Sequence, residues 1–249
     1  MKKALNILIW LMLLGWIILS TGFIASEGEK VLCQNIDVVF SDTLSGRFVS
    51  ENSLRAVLAE TGIPLQGYPL QEINSRKLEQ ELEKNPYIRN AEVSKDVSGR
   101  LEVSVDERIA LVRVMPAGKQ GYYLDTEGKV LPLSSAFVPR ILLASGYFPR
   151  SGEKDDQGRL EELYRFAGFV SEHPLWRDQI VQIYLGNKGN YELIPRVGAH
   201  QVLLGSMDNW ERKLENLELL YRQAFPKYGW NNYSVINLKY TNQVICTKR

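Results

Sequence analysis

The hydrophobic pattern divides the chain into three stretches, and each predicts a different structure. From Ala4 to Ala25 there is no charged residue in 22 positions. At 1.5 Å per residue a helix of that length rises about 33 Å, enough for a hydrocarbon core of about 30 Å. The pattern predicts a transmembrane helix over 4–25 with residues 1–3 as a cytoplasmic stub. Lys2 and Lys3 precede it, while Glu27, Glu29 and Lys30 follow. Positive charge stays on the cytoplasmic side, so the remainder is expected to be exported. A cleaved signal peptide is the rival reading; its apolar core would be shorter and would end in a small-x-small site.

Beyond the anchor the order strand, helix, helix, strand, strand emerges. Ile36–Phe40 is a short apolar run around Asp37. Ser50 can cap a helix through Glu60, with Leu54, Val57 and Leu58 on one face and Gly62 and Pro64 ending it. Asn74 or Ser75 caps a second helix carrying Leu78 and Leu82, stopped by Asn85-Pro86. Ala91–Val97 then turns at Ser98-Gly99 into Leu101, Val103 and Val105, alternating with Glu102, Ser104 and Asp106. That alternation predicts a half-buried strand and a hairpin.

The later part is richer in strands. Tyr122–Leu124 and Lys129–Leu133 flank the turn Asp125-Thr126-Glu127-Gly128. Ile141–Ala144, Ile180–Leu185, Tyr191–Pro195 and Gln201–Leu204 are further strand candidates. Residues 160, 163, 166, 167 and 170 form a helical stripe. Asp208 is positioned to cap a helix with Trp210, Leu214, Leu217 and Tyr221 on one face. Tyr233–Tyr240 and Gln243–Thr247 read as two strand-like pieces broken at Thr241-Asn242. No internal repeat is present. The predicted fold class is α+β: a helical anchor, a βααββ unit over 34–110 and a larger β-sheet unit with packed helices over 111–249.

Charge sharpens the division. The net charge of the whole chain is +1, but Glu27–Ala110 carries −5 and Leu111–Arg249 carries +4. The overall balance speaks against a nucleic-acid binder. Cys33 and Cys246, near opposite ends of the exported part, are expected to be free thiols. The sequence holds no nucleophile elbow, Gly-rich phosphate loop or H-E-x-x-H. His173 and His200, 27 residues apart, read as structural. Asp155-Asp156 reads as a solvated charge run. Of Tyr122-Tyr123, one ring is expected in the core and one in solvent. No catalytic, metal-binding or cofactor-binding residue is assigned, and the chain is expected not to be an enzyme. A membrane-anchored cell-envelope hydrolase stands as the alternative.

Particular motifs point further. Asn85-Pro86-Tyr87-Ile88-Arg89-Asn90-Ala91-Glu92-Val93, followed by Leu101–Val105 and Asp106-Glu107-Arg108, resembles the close of a POTRA domain. Tyr122-Tyr123-Leu124-Asp125 with Gly128, Pro132-Leu133-Ser134, Leu193–Gly198 before Leu204-Gly205, and Asn237-Leu238-Lys239-Tyr240 complete an ordered set. Over about 220 residues that order resembles the FtsQ/DivIB family of bacterial cell-division proteins, most of all its Bacteroidota branch. Two features depart from the family: the cytoplasmic tail is very short, and Arg108-Ile109 stands where many members have a proline.

The resemblance implies a bitopic, non-enzymatic division scaffold of the inner membrane at the septum. It implies no cofactor, nucleic acid or small-molecule substrate. Its partners would be the small bitopic proteins FtsB and FtsL and other divisome membrane proteins, with a partner strand added to the edge formed by the last strands. Lys239, Tyr240, Gln243 and Val244 are the partner-binding candidates; otherwise Tyr240 and Val244 are core residues and Lys239 is solvated. On the second helix, Arg76, Lys77, Glu79, Glu81 and Glu83 form either a recruiting surface or a solvated face. POTRA units also occur in outer-membrane assembly and secretion systems, a third reading.

Overall fold

The computed structural model describes residues 10–18, 31–41, 46–62, 65–155 and 157–249. Residues 10–18 are helical, with Trp10, Leu14 and Ile18 exposed. The stub and both ends of the predicted 4–25 span lie outside the described residues, as do Pro64 and Asp156. Among the described residues no helix is long and apolar enough to cross a membrane. Beyond this segment the chain forms two compact units that divide between Glu107 and Arg108.

The first unit contains β1 (Asn35–Phe40), α1 (Glu51–Glu60), α2 (Ser75–Glu83), β2 (Ile88–Lys95) and β3 (Arg100–Glu107). Ser50 caps α1, its hydroxyl accepting from the Ser53 N–H at 3.2 Å, while Ser53 answers with its own hydroxyl. Asn74 caps α2 by accepting from Lys77. Leu54, Leu58, Leu78 and Leu82 then face one core with Leu101, Val103 and Val105, all buried. β2 begins three residues before the predicted Ala91, because Ile88 already pairs with Glu107. The sheet order is β1-β3-β2, with β1 parallel and β2 antiparallel to the central β3.

Helix side chains bond to both edges of this small sheet. On β1 the Ile36 carbonyl accepts from Arg55 Nη2 of α1 at 2.8 Å. On β2 the Val93 N–H donates to Glu79 Oε1 at 2.9 Å, and the Ala91 N–H to Glu83 Oε1 at 3.5 Å. Glu79 and Glu83, expected on an outward helix face, instead occupy groups that an added strand would need. Removing both with Glu79→Ala/Glu83→Ala should cost about 1–2 kcal/mol of stability, at about 1 kcal/mol per hydrogen bond. It should also make the protein self-associate as concentration rises. Thermal unfolding and light scattering check this; a variant that stays monodisperse would show that the carboxylates do not guard the edge.

The second unit is one nine-stranded sheet with helices packed on it. Its strands are β4 (Ala110–Pro116), β5 (Tyr122–Asp125), β6 (Val130–Pro132), β7 (Leu142–Gly146), β8 (Ile180–Leu185), β9 (Tyr191–Pro195), β10 (Gln201–Gly205), β11 (Tyr233–Asn237) and β12 (Ile245–Lys248). The helices are α3 (Arg159–Glu172), α4 (Trp176–Gln179), α5 (Trp210–Gln223) and α6 (Phe225–Tyr228). The strand order is β12-β11-β10-β9-β8-β7-β4-β5-β6. Leu163, Phe166, Val170, Leu214, Leu217 and Tyr221 press into a core with inward residues of the sheet.

Ala110–Pro116 is a strand, and its first residue pairs with Asp125. Three expectations are corrected here. Tyr122 and Tyr123 are both buried, since both faces of β5 are covered. Asp208 does not cap α5; that position is Asn209, which bears no side-chain cap bond, while Asp208 accepts from Ser206 Oγ. Asp155 is no solvated charge, because its carboxylate accepts from the Arg159 and Leu160 N–H groups and caps α3.

Asp125 is buried at the hairpin turn between β5 and β6. It accepts from the Glu127 and Lys129 N–H groups at 2.9 and 2.7 Å and from Arg108 Nη1 at 2.8 Å. Lys213 is also buried, its ammonium donating to the carbonyls of Leu204 and Ser206 at 3.1 and 2.7 Å. Burial pushes its pKa down, while Asp208 opposes the shift.

Candidate functional site: the β12 edge

An aromatic cluster fixes the last two strands. Phe225 stacks on Tyr233, the first residue of β11, at 5.8 Å between centroids, and meets Trp230 edge-on at 4.9 Å. His200 joins them, its Nε2 2.7 Å from the Tyr221 hydroxyl. β11 runs parallel to β10, a pairing that needs the crossover through α5. β12 then returns antiparallel on the outer side of β11.

The connection between β11 and β12 is held at both ends. Asn237 Oδ1 accepts from the Lys239 N–H at 3.0 Å, turning the chain out of β11. Asn216 of α5 donates to the Thr241 carbonyl at 2.9 Å. The Lys239 stem lies over Gly205, where a Cβ would meet its Cγ at 2.9 Å; Gly205 also has a φ of +79°. So the four predicted partner residues do come together, but on this connection and not on strands. β11 stops at Asn237 and β12 starts at Ile245. Lys239, Tyr240 and Gln243 are exposed, and Val244 is half-buried against the core.

The strand edge itself lies just beyond them. The Arg249 N–H donates to the Asn232 carbonyl at 3.1 Å. In an antiparallel ladder alternate residues face the partner, so Thr247 and Ile245 also turn their backbone towards β11. Cys246 and Lys248 turn theirs away, towards the open side. The Cys246 side chain packs on the core, while Ile245 is 44% exposed. Period two in Val244–Thr247 carries this pattern; sequence reasoning missed which atoms are open because it set the strand boundary too early. Burial pushes the Cys246 thiol pKa up, which lowers the share of thiolate. Cys33 is likewise free and buried.

No catalytic constellation competes with this edge among the described residues. A cavity of about 380 Å³ is lined by Glu153 and Asp155, the paired carboxylates a hydrolase would need. Both are committed. Asp155 uses both oxygens to cap α3, and Glu153 accepts from the Arg150 N–H at 2.8 Å. That bond, with Lys119 and Arg150 nearby, holds the Glu153 carboxyl below its usual range, the wrong direction for a general acid. No group of three metal-ligating residues is found among the described residues. His173 accepts from the Leu175 and Trp176 N–H groups and caps α4.

His200 gives a pH test of the cluster behind the edge. Desolvation pushes its pKa below the ordinary histidine value, with Arg249 adding to the effect. The unfolded chain therefore binds a proton at higher pH than the folded one. Stability from neutral His200 is complete above about pH 6.5 and is lost as pH falls below that. The melting temperature should drop between pH 7 and 5, and His200→Phe should remove part of that slope. An identical slope in the variant would assign the acid sensitivity elsewhere.

The chain thus joins a small βααββ unit to a nine-stranded sheet with β12 at one end. A sequence model of the family "FtsQ/DivIB, C-terminal related" matches residues 110–247, and one of the "POTRA-like domain" matches 31–106. The chain belongs to the FtsQ/DivIB family. It is 30% identical over 171 residues to the cell division protein FtsQ of Rhodothermus marinus, covering 65% of this chain and 61% of that one. With FtsQ of Geotalea daltonii it shares 25% over 178 residues, covering 70% and 63%. With FtsQ of Syntrophotalea carbinolica it shares 24% over 265 residues, covering 98% and 89%. The first two alignments thus span less than two thirds of those relatives.

Proposed function

We propose that this chain is a non-enzymatic scaffold of the bacterial division machinery. Residues 4–25 anchor it in the cytoplasmic membrane, and both units lie on the outer side. It works at the division septum and binds small bitopic division proteins of the FtsB and FtsL kind, linking early division proteins to septal wall synthesis. The partner contributes a strand that pairs with β12, and Lys239, Tyr240, Gln243 and Val244 frame the end of that pairing. The open backbone of β12 carries this reading, because unpaired N–H and C=O groups on an edge accept an added strand. The two carboxylates bonded to the β2 edge of the first unit support the same choice. Relatives named as cell division proteins support the cellular role.

An export-competent fluorescent fusion tests it. The expected result is a band at mid-cell that appears with constriction. Uniform envelope fluorescence in dividing cells would overturn the division role.

A further inference from the structure

We propose that a cleft in the second unit, separated from β12 by β10 and β11 in the strand order, binds an acidic and apolar segment of a protein partner. The cleft has a volume of about 570 Å³ and is lined by Arg140, Arg177 and Arg196. Topology brings these together. Arg140 precedes β7, Arg177 precedes β8 and Arg196 follows β9. β7 and β8 are parallel neighbours, and β9 runs back beside β8 with Ile180 opposite Pro195. One arginine therefore stands at the same end of each of three adjacent strands, about 4.8 Å apart from strand to strand.

The floor is apolar: Leu142, Val170 and Ile180 line the cleft and are buried. The C-terminal half of α3 makes one wall, with Ser171 exposed on it. Arg196 is fixed in place, its Nε donating to the Asp178 carbonyl at 2.8 Å and its N–H to Gln179 at 2.7 Å. Its Nη pair has no further bond among the described residues. Next to Arg177 stands Asp178, whose carboxylate is 76% exposed and 3.8 Å from it. Such an exposed pair at the limit of contact neutralises little.

This chemistry selects a ligand with carboxylates flanking an apolar group. Guanidinium forks match carboxylates in two-point contacts. The volume is that of a ligand pocket and holds side chains of a short segment. A membrane surface is the poorer fit, since binding there uses a protruding apolar face, and this one is concave.

The test uses the full chain in nonionic detergent and a fluorescein-labelled Glu-Leu-Leu-Glu peptide read by anisotropy. Binding should be about tenfold tighter than that of Gln-Leu-Leu-Gln, a difference of about 1.4 kcal/mol, and should weaken as salt rises. Arg140→Gln/Arg177→Gln, at exposed positions, should remove the preference for glutamate. Ser171→Trp should block the cleft while leaving every arginine in place. Cys246→Pro should leave peptide binding unchanged, so failure here is separate from failure at β12. Equal binding of the two peptides, or undiminished binding by Ser171→Trp, would overturn the proposal. So would peptide-independent capture by anionic phosphatidylglycerol vesicles that depends on the same arginines, which would assign the site to lipid.

Discussion

Cys246→Pro is expected to weaken partner binding while the fold survives. The Cys246 N–H faces away from β11, so proline there removes no ladder bond of the protein's own sheet. It does remove a donor to any added strand, and its ring intrudes where that strand must lie. One lost hydrogen bond is about 1 kcal/mol, and the clash of the ring adds to it, so a loss of about tenfold or more in affinity is expected. Lys248→Pro acts on the other open donor and is expected to weaken binding in the same sense. Thr247→Pro is the contrast: its backbone faces β11, so it should loosen β12 itself and lower the melting temperature. Co-purification with the exported segment of an FtsB-like partner, beside circular dichroism, reads all three. A folded Cys246→Pro protein that binds within about twofold of wild type, far below the 1.4 kcal/mol of a tenfold change, removes β12 as the docking strand.

The largest effect on stability is expected at Gly146, the last residue of β7. It sits at φ +103°, and an added Cβ would lie far inside contact with the Leu185 carbonyl oxygen and 3.0 Å from its carbon. That neighbour is backbone of the adjacent strand β8 and cannot swing aside. Gly146 also pairs with Pro116 on β4, so the strain would fall across the middle of the sheet. Gly146→Ala should cost about 3–5 kcal/mol, combining left-handed strain with overpacking. For a unit of this size that is a fall of about 10 °C or more in melting temperature. Loss of under about 1 kcal/mol in denaturant unfolding, an ordinary surface effect, would show that β7 and β8 can separate locally.

The first unit was legible in the sequence because each of its elements carries a local signal. Ser50 and Asn74 cap, Leu78 and Leu82 repeat at helical spacing, and Leu101 to Val105 alternates. β4 was not, because Ala110, Leu111, Val112 and Val114 are all buried and leave no clean alternation to read. Tyr123 escaped for the same reason. The candidate site was half legible. The motif around Lys239 and Tyr240 located the region, but Asn237 ends β11 through its own side chain, which a β-rich run does not announce. Which strand is outermost depends on β11 crossing over to pair parallel with β10, and no local pattern encodes that. The guarding roles of Glu79 and Glu83 were invisible too, since a glutamate on a polar helix face looks the same whether it meets water or a strand edge.

The buried ammonium of Lys213 gives the second unit a built-in chemical reporter. Amine-reactive labels will modify exposed lysines such as Lys239 as soon as they are added. Lys213, with its nitrogen held between two carbonyls, reacts only when α5 lifts from β10. Mass spectrometry of the peptide that contains it therefore counts openings of this unit in whole cells, with the exposed lysines of the same chain as the internal standard.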